Sequence, residues 1–148
     1  MKAMSRQTVG VIVFVLRGSE RDRELLFLRR SGGAYAGQWW PVGGTCKFGE
    51  VPLQTALREV LEETGLSPTA IYSFGEDIPH IDGYSRIEAF VAFVAPPISI
   101  VLNHEHSEFK WLSADEASTM VADPAPIQRL SDRFMRTEPE ASALFLRA

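Results

Sequence analysis

The chain contains a single cysteine, Cys46, so it can form no intrachain disulfide. A reducing compartment fits that scarcity, and the expected location is the cytoplasm. There is no apolar run long enough to cross a bilayer, so no membrane partner is expected. There is no surplus of positive charge either. A formal net charge of −4 and a pI near 5.4 argue against the basic groove that nucleic acid requires. Repeats, low-complexity tracts and linker-like segments are also missing, so residues 1–148 read as one domain. At 148 residues the chain is long enough to bury a core, and 45% hydrophobic with 23% charged residues are globular values. Lys2 and Arg6 ahead of the apolar run Val9–Leu16 imitate the start of a secretory signal. No small-residue cleavage site follows, and Arg17, Glu20, Arg21 and Asp22 come next, so Val9–Leu16 is read as a buried strand.

What the chain does have is concentrated between Gly44 and Leu66. Leu53, Leu57, Val60 and Leu61 recur at helical spacing and are expected on one face. Glu59, Glu62 and Glu63 share one turn and are expected on the opposite, solvent-facing side. Pro52 suits the first turn of this helix, and Gly65 suits the left-handed position just past its end. Like charges at this spacing repel by a few tenths of a kcal/mol per pair. A hard divalent cation, shared with substrate phosphates, is the simplest compensation. The glycines ahead of the helix, Gly43 and Gly44, are the sort of entry that lets backbone N–H groups approach an anion.

Together these residues match G-x5-E-x7-R-E-U-x-E-E-x-G-U, with U aliphatic, through Gly44, Glu50, Arg58, Glu59, Val60, Glu62, Glu63, Gly65 and Leu66. Seven fixed letters coincide by chance on the order of once in a hundred million starts. The stretch resembles the signature of the Nudix hydrolase family. That resemblance implies an α/β/α sandwich around a mixed β-sheet, and Mg²⁺- or Mn²⁺-dependent hydrolysis of phosphoanhydride bonds in a small-molecule nucleotide, by a monomer or homodimer. Pro41-Val42-Gly43-Gly44 and Glu105-His106-Ser107-Glu108-Phe109-Lys110-Trp111-Leu112 also look like members that cleave nucleoside or dihydroneopterin triphosphates to monophosphate and pyrophosphate. That is the expected reaction. Cleavage of nucleotide sugars or dinucleoside polyphosphates is the alternative, and a nucleotide-sensing module without catalysis is the alternative of another class.

The family's metal ligands fall on Glu59, Glu62 and Glu63. Glu50 is an outer ligand or a partner for Arg58, which is read as orienting a glutamate. Glu105 and Glu108 compete as an additional acid. Glu105, in the polar loop Asn103–Glu108, is preferred as metal ligand or base, because Phe109 and Trp111 are expected in the core with Glu108 on the far face. His104 and His106 remain open as bases or ligands, against the plainer reading of ordinary loop histidines. Arg29, Gly43, Gly44, Trp39 and Trp40 are the expected substrate contacts, with one tryptophan in the core and the other available for stacking. No activating partner marks Cys46, which is read as incidental.

The remaining elements follow from pattern. Glu24–Arg30, Ile71–Glu76, Ile87–Ala95, Ile98–Leu102 and Phe109–Leu112 read as strands, and Asp77–Ser85 as a loop. Ser113-Ala114-Asp115-Glu116 is a capping box that opens a helix. Ala125–Arg136 reads as a last helix with Ile127, Leu130 and Phe134 on one face, and Pro139 begins a final helical piece or tail.

Overall fold

Ten residues of nearly unbroken apolar and β-branched character, Thr8–Arg17, form strand β1 at the centre of the sheet. A computed structural model of the chain describes residues 8–79, 85–136 and 145–146. Around β1 stand β2 (Glu24–Arg30), β3 (Trp39–Trp40), β4 (Val42–Thr45), β5 (Ala70–Pro79), β6 (Arg86–Phe93), β7 (His106–Leu112) and β8 (Phe145–Leu146). The main path runs β3-β2-β1-β6-β5-β8, with β4 on β1 and β7 on β2. β1 and β6 are parallel along their length and the other pairs are antiparallel, so the sheet is mixed.

Side chains alternate along β1 and so build two cores. Phe14 and Leu16, with Leu25 and Phe27 of β2, meet Ala117, Ile127, Leu130 and Phe134. These belong to helix α2 (Ala114–Ser118), helix α3 (Ala125–Leu130) and the π-helical turn Ser131–Met135. Val11, Val13 and Val15, with Leu26 and Leu28, meet Ala56 and Val60 of helix α1 (Pro52–Thr64) on the other side. The result is the expected α/β/α sandwich. Among the described residues, no helix is long and apolar enough to cross a membrane.

Several local expectations hold. β2 has the bounds read from the sequence, and Ser113 caps α2 by accepting from the Glu116 N–H at 3.2 Å. Gly65 takes φ 74° and donates its N–H to the Leu61 carbonyl at 2.8 Å.

Others are corrected. Ile98–Leu102 joins no strand ladder. Ile98, Ile100 and Leu102 pack on the second core while the Val101 N–H bonds the Thr64 carbonyl at 2.9 Å, so the segment crosses the end of α1. Asp77–Pro79 extends β5 opposite β6, where a loop was expected; residues 80–84 of that loop lie outside the described residues. The loop Asn103–Glu108 ends early, because β7 begins at His106. The last helix ends at Leu130 and continues as the π-helical turn. The piece expected from Pro139 lies outside the described residues, apart from the two residues of β8.

Helix α1 is rotated from its expected setting. Leu61 is 55% exposed, whereas Glu59 and Glu63 are buried at 8% and 1%. The reason lies in β4. A Cβ on Gly44 would stand 2.3 Å from the Glu59 carboxyl carbon, so the glycine opens the space that this acid occupies. The helix therefore turns part of its acidic face toward the sheet and leaves Leu61 in water.

Candidate active site

Arg58 gathers the acids of α1 and its approach. Its Nε and Nη2 donate to the two oxygens of Glu50 at 2.6 and 2.9 Å. Its Nη1 donates to Glu59 at 2.7 Å and to Glu62 at 3.1 Å, and its Nη2 also reaches the Thr45 carbonyl at 3.1 Å. The forked contact to Glu50 is the strong, directional kind of ion pair. The Arg58 guanidinium, the Lys47 N–H and the Thr55 hydroxyl hold the Glu50 carboxyl down at about 2. Glu50 is therefore where the sequence placed it as a partner of Arg58. With Glu50 it holds the Glu59 carboxylate in position, and Glu62 stays half in solvent.

Glu63 lies deeper. Its carboxyl is pushed up to about 8, first by burial and then by the Glu59 and Glu105 charges, against the Gly43 N–H and Arg30. The Gly43 N–H lies 3.5 Å from Glu63 Oε2. Gly43 and Gly44 thus make room for and face the acids of α1.

The third part of the site comes from the start of β7. Ser31 ties residues 104 and 105 to the end of β2, its hydroxyl on the His104 carbonyl at 2.6 Å and its N–H on the Glu105 carbonyl at 2.9 Å. Oxygens of Glu63 and Glu105 and a ring nitrogen of His106 then lie within 4.8 Å of one another. His106 is 6% exposed, while His104 is exposed outside this group. Burial and the nearby Arg30 charge lower the His106 pKa against the pull of Glu105, which favours the uncharged ring. Glu105 has no side-chain hydrogen bond among the described residues. Glu108 is bound to Arg29 at 2.6 Å.

Strand alternation separates the remaining candidates. Arg29 lies on the same side of β2 as Phe27, over the first core, with Trp39 and Glu108 as its sheet neighbours. Trp39 packs against that core under the Lys110 ammonium, 4.7 Å from the ring centre. Both are therefore on the face away from α1, and neither stands with the acids. Arg30 is on the α1 side and sits beside Glu63 and His106. Its Nε is buried without a hydrogen-bond partner. Sequence reading missed Arg30, although alternation from Leu26 and Leu28 pointed to it. Trp40 is on the α1 side, 39% exposed and edge-on to Tyr35. Phe109, expected in the core, is 43% exposed on that same side, because β7 is an edge strand that α1 does not cover.

The donor set fits a divalent cation. A buried carboxyl with like charges beside it and one long N–H contact needs a compensating positive charge. Carboxylate oxygens are the ligands that Mg²⁺ and Mn²⁺ take.

The NUDIX domain model matches residues 6–134. The asymmetrical bis(5'-nucleosyl)-tetraphosphatase of Sus scrofa is 29% identical over 125 residues, covering 77% of this chain and 83% of that protein. Among solved structures, a C. elegans Ap4A hydrolase binary complex superposes with a TM-score of 0.71 at 21% identity, covering 83% of this chain and 96% of the other. The E. coli dihydroneopterin triphosphate pyrophosphohydrolase gives 0.68 at 20% identity, covering 88% and 98%.

Proposed function

Since the chain belongs to the NUDIX family of hydrolases acting on phosphoanhydride bonds, we propose that its substrate is a nucleoside polyphosphate, with dinucleoside polyphosphates the first class to consider. The observation that carries this reading is the juxtaposition of the Glu63 and Glu105 carboxylates with Arg30, a cation whose Nε has no partner. Polyphosphate hydrolysis needs an anion held in place, charge neutralised on its oxygens and a water in line. Arg30 binds a phosphate oxygen. Glu63 and Glu105, with Glu59 and Glu62 beside them, hold the metal, and Arg58 with Glu50 fixes Glu59. A bound Mg²⁺ or Mn²⁺ supplies charge neutralisation on the phosphate and orientation of the attacking water. Glu105, whose carboxylate has no hydrogen bond among the described residues, is also able to accept that water's proton. Trp40 and Phe109 offer exposed rings on the same face for a base to stack on.

The likeness to the Sus scrofa enzyme favours dinucleoside polyphosphates. A nucleoside triphosphate cut to monophosphate and pyrophosphate is the second reading, supported by the likeness to the E. coli pyrophosphohydrolase. Chromatography of products from a nucleotide panel, with Mg²⁺ and with chelator, separates them. A dinucleoside tetraphosphate should be consumed fastest, and only with metal. Preferential conversion of a triphosphate to monophosphate and pyrophosphate would move the assignment to the second reading. Binding without any turnover would replace both with a sensing module.

A further inference from the structure

We propose that His106 is itself a metal ligand, so that the site holds its cation through one nitrogen as well as oxygens and favours Mn²⁺ or Co²⁺ over Mg²⁺. The inference rests on the metal-dependent reading above and concerns which atoms take the ion. His106 opens β7 with its side chain turned inward, and a ring nitrogen falls within 4.8 Å of both the Glu63 and Glu105 oxygens. The ring is 94% covered, at 6% exposure.

The hydrogen bonds around it assign its nitrogens. The Glu105 N–H donates to Asn103 Oδ1 at 3.2 Å, which identifies that atom as the amide oxygen. His106 Nδ1 lies 3.4 Å from the same oxygen. An amide oxygen only accepts, so Nδ1 carries the hydrogen and Nε2 keeps its lone pair. Nε2 has no hydrogen-bond partner among the described residues. A ligating histidine has this form: one nitrogen donates to an oxygen that fixes the tautomer and the other faces the ion. Arg30 could donate to that lone pair, but no hydrogen bond joins Arg30 to His106 among the described residues. Mg²⁺ prefers an all-oxygen shell, whereas a transition ion accepts an imidazole nitrogen more readily, weakly for Mn²⁺ and more strongly for Co²⁺, which gives the selectivity its direction.

The test is pulsed EPR on protein loaded with Mn²⁺ alone, prepared with natural-abundance and with ¹⁵N-labelled histidine. The expected result is a nitrogen coupling on bound Mn²⁺ that changes with the label, persists in His104→Asn and disappears in His106→Asn. The labelled wild-type chain gives the answer even if His106→Asn fails to fold. In competition titrations His106→Asn should weaken Mn²⁺ binding about tenfold, on the scale of losing a ligand's support, and Mg²⁺ binding by much less. Bound Mn²⁺ with no histidine coupling overturns the inference and leaves the proposed function standing. Failure of Mn²⁺ to bind at all overturns both.

Discussion

Glu63 shows how one side chain can weaken the fold and serve the site. It is 1% exposed, and burial with the Glu59 and Glu105 charges pushes its carboxyl up to about 8. An unfolded glutamate titrates near 4.3. Between those values the folded chain binds a proton that the unfolded chain has released, so stability falls as pH rises through that window. Glu63→Gln removes the titration and keeps an oxygen for the Gly43 N–H. In the presence of chelator, the variant should melt at the same temperature as wild type below about pH 4 and at a higher one at pH 8, on that linkage. Its kcat with metal should fall roughly 10²-fold, the scale of losing a principal electrostatic group. Thermal melts across pH decide the first part; a wild-type midpoint that rises from pH 5 to pH 8 relative to the variant refutes it. The two neighbouring arginines give a second contrast. Arg30→Ala should lower kcat/KM by roughly 10²-fold, as loss of a charged contact to phosphate. Arg29→Ala breaks the exposed pair with Glu108 and a long contact to the Gly37 carbonyl at 3.4 Å, and should change kcat/KM less than about threefold. Steady-state kinetics of both variants check this, and a larger loss at Arg29 would reverse which face of β2 meets substrate.

At the scale of elements, α1 shows that the pattern of a helix does not fix how it is seated. The apolar stripe names Leu61 as core, yet it is 55% exposed while Val60 and Ala56 are fully buried. Leu61→Lys should therefore shift stability by no more than about 0.5 kcal/mol. Val60→Ala should cost about 2 kcal/mol from lost burial and the cavity left behind. Denaturant titration of the two variants tests the seating, and equal losses would mean that Leu61 is covered. What was legible in the sequence depended on local physics. β2, the Ser113 cap, the Pro52 start and the Gly65 stop each rest on neighbours a few residues away, and all stand. The pairing of Glu50 with Arg58 was also open to sequence, since Glu50 lies just ahead of α1 and Arg58 within it. The readings that failed needed tertiary information. Nothing local says that Ile98–Leu102 meets a helix end instead of a strand, or that edge strand β7 leaves Phe109 uncovered. The inward turn of Glu59 and Glu63 depends on an absent side chain at Gly44, a distant position until β4 lies against α1. Arg30 over Arg29 was decidable from strand alternation, but only once the α1 side of β2 was known.

At the scale of the molecule, the acids and the fold are separable. Both cores are built from apolar side chains of the sheet against α1 and against α2, α3 and the π-helical turn. Among the described residues, the Glu63–Glu105–His106 group lies at the end of β2 and the start of β7, outside either core cluster. The protein carries a net charge of −4 and is proposed to act on an anion, so under that proposal the positive charge needed for binding would come from Arg30 and from metal. Chelation should therefore abolish turnover and leave the fold in place. Far-UV circular dichroism and the cooperative melt should persist in chelator, and Mg²⁺ or Mn²⁺ should restore activity. Because the ion binds the folded site and finds no such arrangement in the unfolded chain, added Mn²⁺ should also raise the melting temperature saturably, with about 2.7 kcal/mol of stabilisation at a hundredfold excess over Kd. Unfolding by chelator would make the ion structural. A melting temperature indifferent to Mn²⁺, with turnover intact in chelator, would remove the metal from the site altogether and with it the reason for three carboxylates on one turn.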